Sequence, residues 1–199
     1  MSIIGKGAEA TLTRVGDVLI KERVAKAYRL RELDVVLRVR RTRAEARLLT
    51  EARRVGVLVP AVREAHGTTL TLDFIEGDRV KDILNEENAQ PFAAAVARNV
   101  ALLHGAGIIH GDLTTSNMIA NERGVWFIDF GLGFRSTRRE DKAVDLYLLR
   151  QVVNATHSRI VAVFWPAFLQ EYDRCATGGR EVIKALLSIE RRGRYRRRS

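Results

Sequence analysis

Two aspartates and an asparagine follow short apolar runs in the second half of the sequence. Asp112 and Asn117 lie in the polar stretch after Ile108 and Ile109, and Asp129 follows the run from Val125 to Ile128. The stretch from His110 to Asn117 carries too many hydrogen-bonding side chains to be core. Because two strand ends can deliver these groups to one place, we expect all three side chains to face a single cleft.

These residue types at this spacing fit phosphoryl transfer from ATP. Such a reaction needs a group beside the attacking oxygen and divalent cations that bridge the phosphates. We assign the first role to Asp112, whereas Asn117 and Asp129 offer the oxygen ligands that Mg²⁺ prefers. Each residue taken alone is more typical of a turn. The ordered set after two apolar runs instead favours a catalytic site.

The same stretch carries the H-x-D-L-x-x-x-N and D-F-G patterns of the protein-kinase fold. We therefore predict an α+β, two-lobed, protein-kinase-like fold. A small β-rich N-lobe with one long helix is expected over residues 1–75 and a truncated helical C-lobe over residues 76–190.

Residues 3–22 are typical of two or three short strands, with a glycine-containing turn where a kinase covers the ATP phosphates. Glycine allows backbone amides to approach a phosphate closely. Alone, this stretch would be a hairpin turn, and the third glycine of G-x-G-x-x-G is replaced by Ala10. The candidate ATP-binding residues here are Gly5, Lys6, Gly7, Ala8 and Glu9.

Lys21 ends the apolar segment Val18 to Ile20, where a kinase places the lysine that reaches the phosphates. Its expected partner is Glu45, on a helix predicted from near Asp34 to Val55. Thr42 and Glu45 also form a capping-box pattern, in which Glu45 would bond the N-terminus of its own helix. If the helix begins near Asp34, Glu45 is in mid-helix and faces the cleft.

Residues 61–66 and 69–74 are typical of a hairpin that turns at Gly67 and leads into the connection between lobes. Backbone groups in such a connection can bond an adenine edge, although an ordinary strand end explains the residues nearly as well. The candidate ATP-binding residues here are Asp73, Phe74 and Ile75.

Helical periodicity in the second lobe predicts helices over residues 80–86, 91–106, 141–157, 161–173 and 179–192. His104 is interpreted as a packed histidine at a helix end. Only about ten residues separate Gly131 from the helix near Asp141, and an Ala-Pro-Glu motif is absent. The long segment on which peptide substrates usually dock therefore has no room. Asp145 is interpreted as a buried acid that bonds the backbone of the catalytic loop.

The composition, 46% hydrophobic and 29% charged over 199 residues, is typical of a soluble globular protein. Cys175 is the only cysteine, which excludes an internal disulfide and suits a reducing compartment. We find no signal-peptide pattern and no run near the ~18 apolar residues of a membrane span. We expect a cytoplasmic protein without membrane attachment.

The net charge of +10 is concentrated in two blocks. Residues 21–54 carry twelve basic and five acidic side chains, and residues 191–199 carry six arginines and no acid. Such blocks suggest a polyanionic partner in addition to ATP. We interpret residues 191–199 as a basic tail that contacts RNA or a partner protein, the alternative being arginines that only aid solubility. The tail arginines are Arg191, Arg192, Arg194, Arg196, Arg197 and Arg198.

Nearly the whole chain resembles the PRPK-type family, the small atypical Ser/Thr kinases of the KEOPS tRNA-modification complex. One departure is Leu30-Arg31, where members often have a proline. Besides Lys21 and the basic tail, the resemblance rests on Gly7 to Ala10, on Tyr28-Arg29, Leu33-Asp34 and Arg41 to Leu49, and on His110 to Asn117, Ile128 to Gly131 and Glu140 to Tyr147.

The resemblance implies an enzyme that binds ATP and Mg²⁺, phosphorylates itself on Ser or Thr, and acts mainly as an ATPase. The implied catalytic residues are Asp112, Lys21 and Glu45, with Asn117 and Asp129 at the metal. It also implies a part in making threonylcarbamoyl-adenosine in tRNA. The implied partners are the threonylcarbamoyl-transferase subunit on the C-lobe, a further small subunit on the N-lobe, and tRNA.

Two other functions stay open on the sequence. Small-molecule phosphotransferases of the aminoglycoside or choline kinase type also carry His-Gly-Asp, but they usually need a large helical insertion to hold substrate. A pseudokinase scaffold that binds RNA is a non-catalytic alternative, which the intact Lys21, Asp112, Asn117 and Asp129 disfavour.

Overall fold

The N-terminal part of the chain is an antiparallel sheet with the strand order β1-β2-β3-β5-β4. The computed structural model describes residues 2–196, with side chains described as far as Arg192. The strands are β1 (Ser2–Lys6), β2 (Ala10–Val15), β3 (Val18–Arg23), β4 (Val62–His66) and β5 (Thr69–Asp73). The sequence prediction of short strands before residue 23 and of a hairpin turning at Gly67 is confirmed.

One long helix, α1 (Arg31–Arg54), packs its face of Leu48, Leu49 and Ala52 against the sheet and the core. It begins at Arg31 rather than near Asp34, and acidic side chains in its first turn favour that start. It ends before Gly56, whose φ of +90° suits a residue without Cβ.

The C-terminal part is helical. Its helices are α2 (Val80–Ile83), α3 (Ala89–Gly105), α4 (Arg139–Thr156), α5 (Val161–Cys175) and α6 (Gly179–Arg196). The helix predicted over residues 80–86 is wrong in its length, because the side chains of Asn85 and Asn88 bond nearby backbone and form a turn there. The predicted end at residue 192 is also wrong, since α6 continues to Arg196.

Short strands frame the loops between these helices. They are β6 (Asp78–Arg79), β7 (Ile108–Ile109), β8 (Met118–Asn121), β9 (Gly124–Phe127) and β10 (Phe134–Arg135). β8 and β9 form an antiparallel hairpin, and β6 pairs with the other edge of β8. β10 pairs with β7. The segment after Gly131 therefore pairs with β7 before it reaches α4 at Arg139. The short distance from Gly131 to the next helix, which the sequence predicts, is confirmed.

The hydrophobic core is continuous from the sheet to the helices. Its largest fully buried side chains include Phe127 and Phe130 beside the loops, and Phe164, Phe168 and Tyr172 on α5. Within the described residues, no helix combines the length and apolar character that crossing a bilayer requires.

Candidate active site

The loop between β7 and β8 brings Asp112 and Asn117 into direct contact. The side-chain NH₂ of Asn117 donates to Oδ2 of Asp112 at 2.8 Å and to the carbonyl oxygen of Asp112 at 3.0 Å. The backbone N–H of Ile128 donates to the carbonyl oxygen of Asn117 at 3.0 Å. This bond lays the strand that leads to Asp129 beside the loop, so the three predicted residues are neighbours.

The backbone of this loop is anchored by Asp145 on α4. Its carboxylate accepts hydrogen bonds of 2.9 Å from the N–H groups of both His110 and Gly111, and the side chain is buried. The interpretation of Asp145 as a buried acid that bonds the catalytic loop is confirmed.

Behind Asp145 lies a buried polar chain that links three helices. His104 on α3 is 3.3 Å from Oδ2 of Asp145 and 2.7 Å from the hydroxyl of Tyr172 on α5. Burial lowers the pKa of His104, so the ring is neutral near pH 7. Burial also acts to raise the pKa of Asp145, but hydrogen bonds from His104 and from the loop outweigh it and hold the carboxylate ionised. The interpretation of His104 as a packed histidine is confirmed.

Lys21 joins the sheet to this loop region. Its Nζ lies 2.7 Å from Oε1 of Glu45 on α1 and 2.8 Å from Oδ1 of Asp129. Lys21 and Glu45 are 7% and 1% exposed, so this pair is shielded from water. The Lys21–Glu45 pair expected from the sequence is present. The capping-box alternative is wrong, because Thr42 and Glu45 both lie in the middle of α1.

Asp129 has a backbone conformation that non-glycine residues rarely adopt, with a φ of 61°. Its Oδ1 accepts a second hydrogen bond, at 3.1 Å, from the N–H of Gly131. Burial acts to raise the pKa of Asp129, but the Lys21 ammonium and this N–H outweigh it and keep the pKa below its usual value. The carboxylate is therefore ionised. The Asp129 side chain is 49% exposed, so a ligand can reach it.

The donors around the loop suit a magnesium ion that also contacts a ligand. Among the described residues, no three His, Cys, Asp or Glu side chains group closely enough to hold a metal unaided. Mg²⁺, however, is usually held by one or two protein carboxylates together with substrate phosphates and water. Asn117 spends its NH₂ on Asp112, which leaves its carbonyl oxygen, and Asp129 has an oxygen free of Lys21. This pair of oxygens fits such a cation.

The glycine-containing turn between β1 and β2 contacts the basic side chains of Lys26 and Arg41. Gly5 and Lys6 end β1, and the N–H of Gly7 bonds the carbonyl oxygen of Ala10. The Glu9 carboxylate lies 3.3 Å from Nζ of Lys26 and 3.1 Å from Nη1 of Arg41. Lys26 also donates to the carbonyl oxygen of Ala8. Gly7, Ala8 and Glu9 therefore form the turn, whereas the candidate residues Gly5 and Lys6 lie in β1 and pair with β2, which corrects the prediction of a single turn.

The connection between the lobes uses most of its hydrogen-bond donors internally. The N–H groups of Asp73 and Phe74 bond the carbonyl oxygens of Ala61 and Asp17. The side chain of Asp73 is paired with Arg63. Among the described residues, the N–H of Ile75 has no such partner. Of the three predicted hinge residues, Ile75 is the one with an N–H left to meet an adenine.

The predicted tail begins inside a helix. Arg191 and Arg192 are exposed on α6. Arg194 and Arg196 also belong to α6, but only their backbone is described. Arg197 and Arg198 lie outside the described residues. That residues 191–199 act as a separate unit stays a prediction.

Sequence reasoning missed Arg23, whose Nη2 lies 2.5 Å from Oε2 of Glu45. Alternation along a strand places Arg23 on the same side of β3 as Lys21, and this signal could have found it. It also missed the contact between Thr115 Oγ1 and Nε2 of His157, at 3.2 Å, for which the sequence gives no local signal.

Comparison with known proteins gives a consistent picture. Residues 18–156 match the RIO domain family. The chain is 39% identical to the KEOPS complex subunit Bud32 of Pyrococcus abyssi, over 100% of this chain and 98% of that protein. It is 37% identical to a probable serine/threonine-protein kinase BUD32 homolog of Archaeoglobus fulgidus, over 95% of this chain and 94% of the relative.

A longer relative and a solved structure extend the comparison. The chain is 40% identical to a probable bifunctional tRNA threonylcarbamoyladenosine biosynthesis protein of Methanocorpusculum labreanum, but it covers only 35% of that protein. Its fold matches the Rio2 kinase of Chaetomium thermophilum, solved with ADP, Mg²⁺ and phosphoaspartate, with a TM-score of 0.67 at 13% identity. That match covers 98% of this chain and 71% of the other. At that identity the match shows the fold alone, which confirms the predicted kinase-like architecture.

Proposed function

The chain belongs to the RIO-domain family, as a RIO-type atypical Ser/Thr kinase related to the Bud32 subunits of KEOPS complexes, and from this we propose that it cleaves ATP, with Mg²⁺, in the cleft between its lobes. The observation that carries the proposal is the position of Lys21 Nζ, 2.7 Å from Glu45 and 2.8 Å from Asp129. One ammonium thus joins the sheet, the long helix and the strand end after β9.

Each residue has a role in this proposal that its contacts support. Lys21 binds the α- and β-phosphates and Glu45 orients Lys21. Backbone amides from Gly5 to Glu9, at the end of β1 and in the turn after it, cover the phosphates. Asp112, fixed by Asn117, accepts the hydrogen of an attacking hydroxyl or water. Asn117 and Asp129 hold Mg²⁺, which neutralises charge on the phosphates. The acceptor is a Ser or Thr hydroxyl, including the chain's own, or water.

The small-molecule phosphotransferase alternative is not favoured. Between α2 and α6 the described residues form compact helices with short connections and include no large helical insertion to enclose such a substrate. The relatives named as kinases point the same way. The pseudokinase alternative is not favoured either, because Lys21, Asp112 and Asn117 are all present and make the contacts that ATP chemistry needs.

ATP turnover by the purified chain tests the proposal. We expect turnover that requires Mg²⁺ and falls by about a hundredfold or more in Asp112→Ala and in Asp129→Ala, because each change removes a group that acts on the reacting phosphate or its acceptor. The measurement is phosphate release together with ³²P incorporation into the chain. The control is Asp173→Ala, at an acid on α5 that pairs with Arg180.

Asp173→Ala should keep wild-type turnover. Turnover unchanged in both active-site variants would remove the enzymatic assignment of this site, and turnover independent of Mg²⁺ would remove the proposed metal.

We also infer that the chain works within a KEOPS-type assembly in the cytoplasm. Its relatives are named as a KEOPS subunit and as bifunctional tRNA threonylcarbamoyladenosine biosynthesis proteins, and in the latter about two thirds of the polypeptide lies outside the match. We propose that a threonylcarbamoyl-transferase subunit binds the C-lobe of this chain. A further small subunit on the N-lobe completes the proposed assembly.

A row of arginines on α1 supports tRNA as a partner. Its members share one helix face at spacings of three, four and seven residues, are all exposed, and form no ion pair with the described side chains: Arg40, Arg43, Arg47 and Arg54. We call these residues the arginine row. It extends about 21 Å along the helix axis. Unpaired arginines in a row suit the phosphate backbone of a nucleic acid.

A further inference from the structure

The buried carboxylate of Glu45 has two cationic partners rather than one. Lys21 Nζ contacts Oε1 at 2.7 Å, and Arg23 Nη2 contacts Oε2 at 2.5 Å. Arg23 is 5% exposed and Glu45 is 1% exposed. Water therefore cannot take the place of either partner at low cost.

The two cations differ in what else they touch. Lys21 also contacts Asp129 at 2.8 Å, at the mouth of the cleft. In the proposed function, Lys21 turns to the phosphates and Asp129 to Mg²⁺ when nucleotide binds. Glu45 then loses part of its interaction with Lys21 while it stays buried. A buried carboxylate left with an incomplete partner is strongly destabilising.

The other contacts of Arg23 involve neither Lys21 nor Asp129, so they remain when those two side chains bind ligand. Its N–H bonds the carbonyl oxygen of Thr68, and its own carbonyl oxygen accepts a bond of 3.2 Å from Nη1 of Arg38. Its Nη2 lies 3.4 Å from the position that a Cβ on Gly131 would occupy, so the guanidinium packs behind the turn that follows Asp129. A guanidinium also keeps its charge at any working pH.

We propose that Arg23 is a positioning residue, the permanent counter-ion of Glu45 that frees Lys21 to bind nucleotide phosphates. This inference rests on the proposed function. Without the charge of Arg23, Glu45 holds Lys21 alone, and drawing Lys21 toward a phosphate leaves a buried carboxylate without a full partner. ATP then binds more weakly, although the acceptor geometry at Asp112 is unchanged.

The test compares full-length Arg23→Met with wild type by MgATP affinity, measured calorimetrically, and by ATP turnover. We expect the Kd and KM for ATP to rise about tenfold, with kcat within about threefold, because uniform binding of ground state and transition state is lost. Arg23→Lys restores the charge and should bring both constants to within about threefold of wild type. Arg98→Met is the matched control, since Arg98 is ion-paired with Glu171 away from the cleft, and it should leave both constants unchanged.

The outcomes separate this inference from the proposed function. Wild type that binds no MgATP would overturn the function itself. Wild type that binds, beside a folded Arg23→Met with unchanged Kd and KM, would overturn only the role of Arg23. Arg23→Gln serves if the methionine variant does not fold. If no uncharged variant folds, or if Arg23→Lys fails to recover ATP affinity, Arg23 is a purely structural ion-pair partner and the positioning role is rejected.

Discussion

Gly111 occupies the point where the segment after Gly131 crosses the catalytic loop. Its φ is +78°, and a Cβ there would lie 2.3 Å from the carbonyl oxygen of Leu132. Real Cβ atoms do not approach a backbone oxygen that closely. The residue before Asp112 is therefore limited to glycine by backbone geometry as well as by contact.

Gly111→Ala should destabilise the protein and reduce ATP turnover, because the loop or the crossing segment must move to admit the new methyl group. The strained φ alone costs about 1–3 kcal/mol, and the overlap adds to it. Urea unfolding and phosphate release are the measurements. Gly67→Ala is a matched control, with a φ of +54° but nothing within 4 Å of the added Cβ.

The control should lose roughly 1–2 kcal/mol through its backbone conformation and keep full turnover. Equal loss of stability in the two variants, with normal turnover in both, would contradict the importance of this close approach.

At individual positions the sequence predicted which candidate site residues lie together better than it predicted their other hydrogen-bond and ion-pair partners. The order and spacing of Asp112, Asn117 and Asp129 correctly indicated that these residues lie near one another, and their catalytic role stays a prediction. The second partner of Glu45 was not predicted, although strand alternation places Arg23 on the same side of β3 as Lys21. At the hinge, a sequence cannot tell that the N–H groups of Asp73 and Phe74 are already bonded.

At the scale of elements, α1 has two separate faces. One face supplies Glu45 and the core residues Leu48 and Leu49, whereas the other carries the arginine row. The two faces can thus be altered independently, which allows RNA binding to be tested without touching the cleft.

Arg40→Gln, Arg43→Gln and Arg47→Gln combined should weaken tRNA binding, because three phosphate contacts and their released counterions are lost. The slope of log affinity against log salt should become less steep by about 2–3. The measurement is filter binding or fluorescence anisotropy over a salt series. The control changes three exposed C-lobe arginines in the same way, at Arg123, Arg159 and Arg180.

An unchanged slope in the arginine-row variant, or an equal change in the control, would exclude this surface as the RNA contact. Loss of binding to an acidic partner protein instead would assign the arginine row to a protein interface.

Element type was predictable here and element length was less so. Periodicity identified each main helix, but the end of α2 depends on the side-chain bonds of Asn85 and Asn88. The extension of α6 to Arg196 runs against the low apolar content of that stretch. A helix already nucleated and packed against α4 can propagate through arginines, which are good helix formers.

At the scale of the whole molecule, the contact of Lys21 with Asp129 joins the two lobes at the cleft. A ligand that takes over both side chains would replace this bridge with its own contacts to each lobe. Ligand binding and stability are then linked, because a ligand that binds only the folded chain stabilises it.

MgATP at about a hundred times its Kd should stabilise the chain by about 2.7 kcal/mol. For a chain of this size that raises the unfolding midpoint by roughly 5–10 °C. Thermal scans with ATP, with and without EDTA, measure the effect. Removing the metal, or the change Asp129→Ala, should abolish most of the shift, and a shift independent of both would contradict the proposed metal ligands.

The pairing of β10 with β7 limits how the segment between Gly131 and α4 can regulate the enzyme. The hydroxyl of Ser136, just after β10, is committed to Asp141 at 2.6 Å, so a phosphoryl group there would press negative charge against a carboxylate. Moving this stretch would therefore break the pairing of β10 with β7. In the assembly that we propose, docked subunits or nucleic acid would then control ATP turnover without a rearrangement of this short segment.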